Sequence, residues 1–141
     1  MSASEQGRAT GLEWTIERQH ALVTIYLRGE LDLGSAPNLE RIVQDAVAAS
    51  PVTVIDLADL EFMDSTGLRL FAETHRTARA AGARLLLGRP SHAVLRVLQV
   101  AGLVEHFDYA EGAPPRDRIC PVCEEWLATP GKRCPHCGSC I

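Results

Sequence analysis

A chain of 141 residues has room for one domain and a small appendage. Hydrophobic residues make up 46% and charged residues 23%, with a net charge of −4, the mixture of an ordinary globular protein and not of a basic nucleic-acid binder. No apolar run reaches the length of a membrane span, and the opening MSASEQGRATG has no apolar stretch, so neither a transmembrane helix nor a secretory signal is expected and the chain is assigned to the cytoplasm.

Residues 1–11 are polar and show no period, which predicts a disordered tail. From Leu12 to Arg18 and from Ala21 to Arg28 the residues alternate, so two strands are expected to form a hairpin at Gln19-His20. After Gly29-Glu30-Leu31-Asp32, Ser35 is the expected N-cap of a helix with Pro37 in its first turn; Leu39, Ile42, Val43, Ala46 and Val47 form its apolar stripe. Val52 to Leu57 reads as a short buried strand, with an acidic loop behind it. A second helix is predicted over Thr66 to Ala81, stopped by Gly82, with Leu68, Phe71, Ala72, His75 and Ala78 inside. Within that stripe, His75 reads as a core histidine with one hydrogen bond. Arg84 to Leu87 makes another strand. Ser91 caps a third helix carrying Val94, Leu95 and Leu98 and closed by Gly102; Leu103 to Phe107 fits strand or helix equally. Helices alternating with strands imply parallel crossovers and an α/β domain over residues 12–110.

These residues contain no phosphate-loop, dinucleotide, zinc-protease or nucleophile-elbow motif, so no active site is expected. One stretch stands out. Asp64-Ser65-Thr66-Gly67 opens the second helix immediately after the acidic loop. Capping alone accounts for one of the three polar residues, but not for three in a row followed by a weak helix former. The alternative is a hydroxyl presented at a helix N-terminus, where amides and dipole favour a phosphate by about 0.3–1 kcal/mol and glycine leaves room for close approach.

All five cysteines lie between Cys120 and Cys140, behind a linker at 111–117 that contains Pro114-Pro115. Cys120-Pro121-Val122-Cys123 and Cys134-Pro135-His136-Cys137 are two knuckles able to surround one Zn²⁺ with four thiolates, which predicts a small zinc ribbon over 118–141. A segment this short and apolar-poor needs such a staple to fold. His136 and Cys140 are alternative ligands. Four thiolates leave no open position, so the metal is structural and not catalytic.

The stretch DLADLEFMDSTGL resembles the signature of the STAS family, the bacterial anti-sigma factor antagonists. Gly29-Glu30-Leu31-Asp32 followed by Ser35-Ala36-Pro37 resembles the family's other hallmark, an acidic loop. The resemblance covers roughly residues 12–110. It implies a mixed four- to five-stranded sheet flanked by helices, without enzymatic activity. It further implies that Ser65 is a phosphoacceptor oriented by Asp64, with Asp32, Thr66 and Gly67 on the same partner-binding surface. In the implied cycle the unphosphorylated protein captures an anti-sigma factor that is also a serine kinase. Phosphorylation of Ser65 ends that complex, and a metal-dependent serine phosphatase restores it. The cysteine-rich tail departs from the family pattern. Two other readings stand beside this one: a STAS scaffold subunit of a membrane complex such as a lipid transporter, not regulated by phosphorylation, and a nucleic-acid-associated regulator acting through the ribbon.

Overall fold

The structure, a computed structural model, describes residues 3–9 and 11–110; the linker, the cysteine knuckles and the ribbon expected over 118–141 lie outside the described residues. The elements are β1 (Ala3–Ala9), β2 (Leu12–Gln19), β3 (Leu22–Leu31), α1 (Ala36–Ala49), β4 (Val52–Met63), α2 (Ser65–Ala80), β5 (Arg84–Gly88), α3 (His92–Ala101) and β6 (Asp108–Tyr109). The strands form one sheet in sequence order. β1, β2 and β3 pair antiparallel, and β3 to β6 pair parallel, so the sheet is mixed as expected. It has six strands among the described residues, more than the four or five anticipated.

The extra strands are the two the periodicity could not signal. β1 replaces the expected disordered tail. It has no apolar alternation and is held by backbone pairing from Ala3 opposite Arg18 to Ala9 opposite Leu12. Its Gly7 lies opposite Trp14, and the indole occupies the space a Cβ would need. Exposed ion pairs Arg8–Glu13 (3.3 Å) and Arg18–Glu5 (3.6 Å) cross the same pair of strands, each worth about 0–1 kcal/mol. β6 has only two residues, and the undecided stretch from Leu103 to Phe107 forms a turn, neither strand nor helix.

Between the sheet and its helices sits a core built from alternate strand residues: Val23, Ile25 and Leu27 of β3, Ile55 and Leu57 of β4, Leu85 and Leu87 of β5. Leu39, Val43, Phe71 and Ala78 meet them from α1 and α2, which pack on each other. Helix α2 is rotated relative to expectation. Gly67, Leu70, Phe71, Thr74, His75 and Ala78 are buried, while Leu68 and Ala72 are half-buried. Thr74 tolerates burial because its hydroxyl donates to the Leu70 carbonyl at 2.8 Å. His75 behaves as a core histidine with one partner, its Nε2 lying 3.1 Å from Asp108 Oδ2. Both α2 and α3 end at left-handed glycines, Gly82 and Gly102, as their sequences predict.

Beyond the level at which β5 ends, β4 runs on to Met63 beside the equally extended β3. The acidic segment read as a loop is therefore mostly strand. Its register slips between Tyr26 and Arg28 and again between Gly29 and Glu30, where β4 carries an extra residue each time, Glu61 at the second. These slips turn charged residues outward while Leu60 and Met63 stay buried. α3 begins against this edge, with Ser91 donating from its amide to the Leu57 carbonyl and from Oγ to the Leu60 carbonyl at 2.6 Å. The same Oγ caps α3 at Val94. At the end of β5, Arg89 grips Asp56 with both Nε and Nη2 at 2.9 Å, tying the strand ends together. That hydrogen bond and the carboxylate charge hold the guanidinium above the ordinary arginine range.

Candidate functional site

Strands β3 and β4 end side by side: Leu31 pairs with Met63, and the Asp64 amide donates to the Leu31 carbonyl at 3.3 Å. Asp32 and Asp64 each follow directly on those paired residues. The parallel register thus brings together two motifs that lie thirty-two residues apart in the chain.

Asp64 is the cap of α2. Its Oδ1 accepts from the Thr66 amide at 2.9 Å and the Gly67 amide at 3.4 Å, and its carbonyl accepts from Leu68 at 3.2 Å. Of three polar residues able to cap, the first does so. Ser65 then becomes the first helical residue and is exposed; Thr66 is half-buried. The amides of Thr66 and Gly67, expected to be open to a phosphate, are already engaged by Asp64. A phosphate on Ser65 would compete with that carboxylate instead of resting on vacant donors.

Gly67 is buried for a reason the sequence does not display. A Cβ there would stand 2.7 Å from Met63 Cγ and 2.8 Å from Leu31 Cδ2. The close approach is made by the chain's own core, not by a ligand. It presses the N-terminus of α2 onto the ends of β3 and β4 and fixes the helix rotation described above.

Asp32 and Ser35 build the other half of the site. Asp32 Oδ1 accepts from the amides of Gly34 (3.0 Å) and Ser35 (3.1 Å), and the Asp32 amide donates to Ser35 Oγ at 3.0 Å. Ser35 is fully buried, and its hydroxyl turns back toward Asp32 and the Glu30 carbonyl at 3.2 Å. It makes no side-chain cap on α1, contrary to expectation, because its lone pairs and proton serve the turn. Pro37 does occupy the first turn. Asp32 is thus the clamp of the β3–α1 turn and only half-buried, so it reaches the surface it organises.

That turn presents Leu33, 74% exposed, and β4 presents Phe62, 47% exposed, opposite Glu30. They are two of the three large apolar side chains that stand in solvent among the described residues, and both lie within three residues of Asp32 or Asp64. Sequence reasoning passed over them. Leu33 carries a signal in retrospect: an apolar residue inside a polar turn cannot belong to any stripe. Phe62 carries none, since its outward direction depends on the register slip at Glu61.

No group of His, Cys, Asp and Glu with metal-binding geometry occurs among the described residues, and the cysteine knuckles lie outside them. No helix among the described residues is long and apolar enough to cross a membrane.

The geometry has close relatives. The chain is 32% identical over 87 residues to the anti-sigma-B factor antagonist of Bacillus subtilis, covering 61% of this chain and 79% of that one. It superposes on an anti-sigma factor antagonist from Mycobacterium paratuberculosis with a TM-score of 0.63 at 28% identity, over 70% of this chain and 86% of the other. It also matches the Bacillus cell fate determinant SpoIIAA in the phosphorylated form, with a TM-score of 0.53 at 26% identity over 77% and 91% of the two chains. Residues 13–118 match the model of the STAS domain, and the chain belongs to the STAS domain family.

Proposed function

We propose that this chain is an anti-sigma factor antagonist that switches partners by phosphorylation at Ser65. The observation that carries the reading is the exposed Ser65 at the start of α2, next to the capping carboxylate of Asp64, at the end of the sheet where Leu33 and Phe62 are also exposed. We read these two exposed apolar side chains and the hydroxyl as parts of one surface patch. Such a patch suits a protein partner, here an anti-sigma factor with serine kinase activity. The kinase moves the γ-phosphoryl group of ATP to Ser65 Oγ, and ADP and the hydroxyl proton leave. The chain itself supplies no catalytic group; it is substrate and ligand.

The modified serine carries about −1.5 to −2 charges beside Asp64, whose oxygen already holds the neighbouring amides. Like charges pressed together under a partner cost several kcal/mol, and each 1.4 kcal/mol is tenfold in affinity. Release follows from that clash, and a metal-dependent serine phosphatase resets the surface. The scaffold reading, in which the domain serves a membrane complex, needs no such hydroxyl.

The test is incubation with the cognate anti-sigma kinase and ATP, with the modification mapped by mass spectrometry. Ser65→Ala is expected to take no phosphate and to hold the kinase persistently. Ser65→Asp carries one charge where phosphate carries nearly two, so its binding defect is expected to be partial. Thr66→Ala is expected to remain a substrate. Unchanged affinity after phosphorylation of the natural protein would instead favour the scaffold.

The tail is proposed to hold one structural Zn²⁺ through Cys120, Cys123, Cys134 and Cys137, on the donor chemistry of two CxxC pairs. The protein is proposed to act in the cytoplasm.

A further inference from the structure

On the flank of α2 that faces the turn after α3, a cleft of about 520 Å³ opens between Arg69, Ala72, Arg76, Arg79, Leu103 and His106. Its floor is apolar: Ala72 and Leu103, with the ring of buried His75 lying 5.5 Å from that of His106. Its rim is cationic. Arg69 is engaged by Glu73 at 3.3 Å, while Arg76 and Arg79 are exposed and meet no acid at ion-pair distance among the described residues. Asp108 is turned to His75 at 3.1 Å, and Glu105 stands in the turn between Leu103 and His106. A chain with net charge −4 has therefore gathered three arginines around one apolar notch.

The occupant that fits is an acidic pair followed by large apolar side chains. This chain contains one: Glu124-Glu125-Trp126-Leu127, between the two cysteine knuckles. The described structure ends at Ala110, four residues after the cleft-lining His106. Thirteen residues separate Ala110 from Glu124, fourteen steps with a reach of up to about 46 Å, ample for a return to the cleft. A tethered segment also meets its site at an effective concentration in about the millimolar range, so a weak contact suffices.

We propose that the arginine-rimmed cleft on α2 receives this protein's own segment Glu124–Leu127, with Trp126 or Leu127 on the apolar floor and the glutamates against Arg76 and Arg79. Arg69 stands four residues from Ser65, about 6 Å along the helix axis. The docked segment would lie along the same helix that Ser65 opens, its glutamates about 16–21 Å further on at Arg76 and Arg79.

The test uses the full chain. Phenylglyoxal modifies accessible guanidinium groups, and mass spectrometry reads each arginine against exposed Arg84. In the natural protein Arg76 and Arg79 are expected to react several-fold more slowly than in Glu124→Lys/Glu125→Lys, and the protection should fade at high salt. In a Trp14→Phe background Trp126 is the only tryptophan. Its emission should shift to the red in Arg76→Glu/Arg79→Glu and return when both charge reversals are combined. Equal reactivity in natural and reversed proteins, or an emission that no charge reversal moves, would overturn the proposal. Protection that vanishes on dilution as a dimer dissociates would also overturn it, assigning the cleft to a second copy. If Trp14→Phe fails to fold, the footprint on the natural Trp14 chain decides alone.

Discussion

At Asp64 one carboxylate oxygen accepts two amide hydrogen bonds, and the next residue stands free of that duty with its hydroxyl in solvent. The cap energy therefore belongs to Asp64, not to the serine. Asp64→Ala is expected to lower stability by about 1 kcal/mol, and Ser65→Ala by much less, in urea melts followed by circular dichroism. Equal losses would show that Ser65 shares the cap. Two positions on, the missing side chain of Gly67 lets α2 sit on Leu31 and Met63. Gly67→Ala adds a methyl at 2.7 Å from Met63 Cγ, so it is expected to cost about 1–3 kcal/mol by overpacking, although alanine is the better helix former. A neutral or stabilising Gly67→Ala in the same melts would mean that the strand ends yield easily. Glycine here was legible as unusual, yet its reason was not, because Leu31 is remote in sequence.

Element boundaries follow from neighbours as much as from local pattern. β4 continues through Asp59 and Glu61 because β3 offers a parallel partner up to Leu31, and the register slips keep those acids out of the core. β6 survives with two residues because Tyr109 anchors it. The phenol is buried, its hydroxyl donates to the Val104 carbonyl, and burial pushes its pKa up to about 12 from an ordinary 10. Ionisation is thus easier unfolded than folded. The resulting stability is fully present below pH 10 and is lost as pH rises from 10 toward 12. Urea midpoints should fall across that window in the natural protein. Tyr109→Phe should start lower, by about 1 kcal/mol for the lost hydrogen bond, and then fall less steeply. Some slope should remain from Tyr26, which burial first and Glu17 second also push upward. Parallel curves for the two proteins would deny Tyr109 this role.

For the whole molecule, the described α/β domain has its own core, whereas the cysteine segment has few apolar residues to bury. Removing metal is therefore expected to act on one part only. Purified, untagged protein under reducing conditions should carry one zinc per chain. Chelation should alter Trp126 emission in a Trp14→Phe background while leaving the sheet's circular dichroism and the domain's melting midpoint almost unchanged. A metal content well below one per chain would remove the zinc reading. Local pattern was enough to read the α/β class, the helices and their stops at Gly82 and Gly102, the core role of His75 and the family motif around Ser65. All of these rest on periodicity, capping chemistry or contiguous residues, which act over a few positions and are written locally. Strand pairing and close packing were needed to show that residues near the N-terminus pair as a strand, that the acidic loop is a strand, that Ser35 serves a turn and not a helix cap, and that Leu33 and Phe62 face solvent near the ends of β3 and β4. Each depends on register between distant strands or on a close contact such as Gly67 with Leu31. Backbone pairing is indifferent to side-chain hydrophobicity, and a single slipped residue reverses which face a side chain takes.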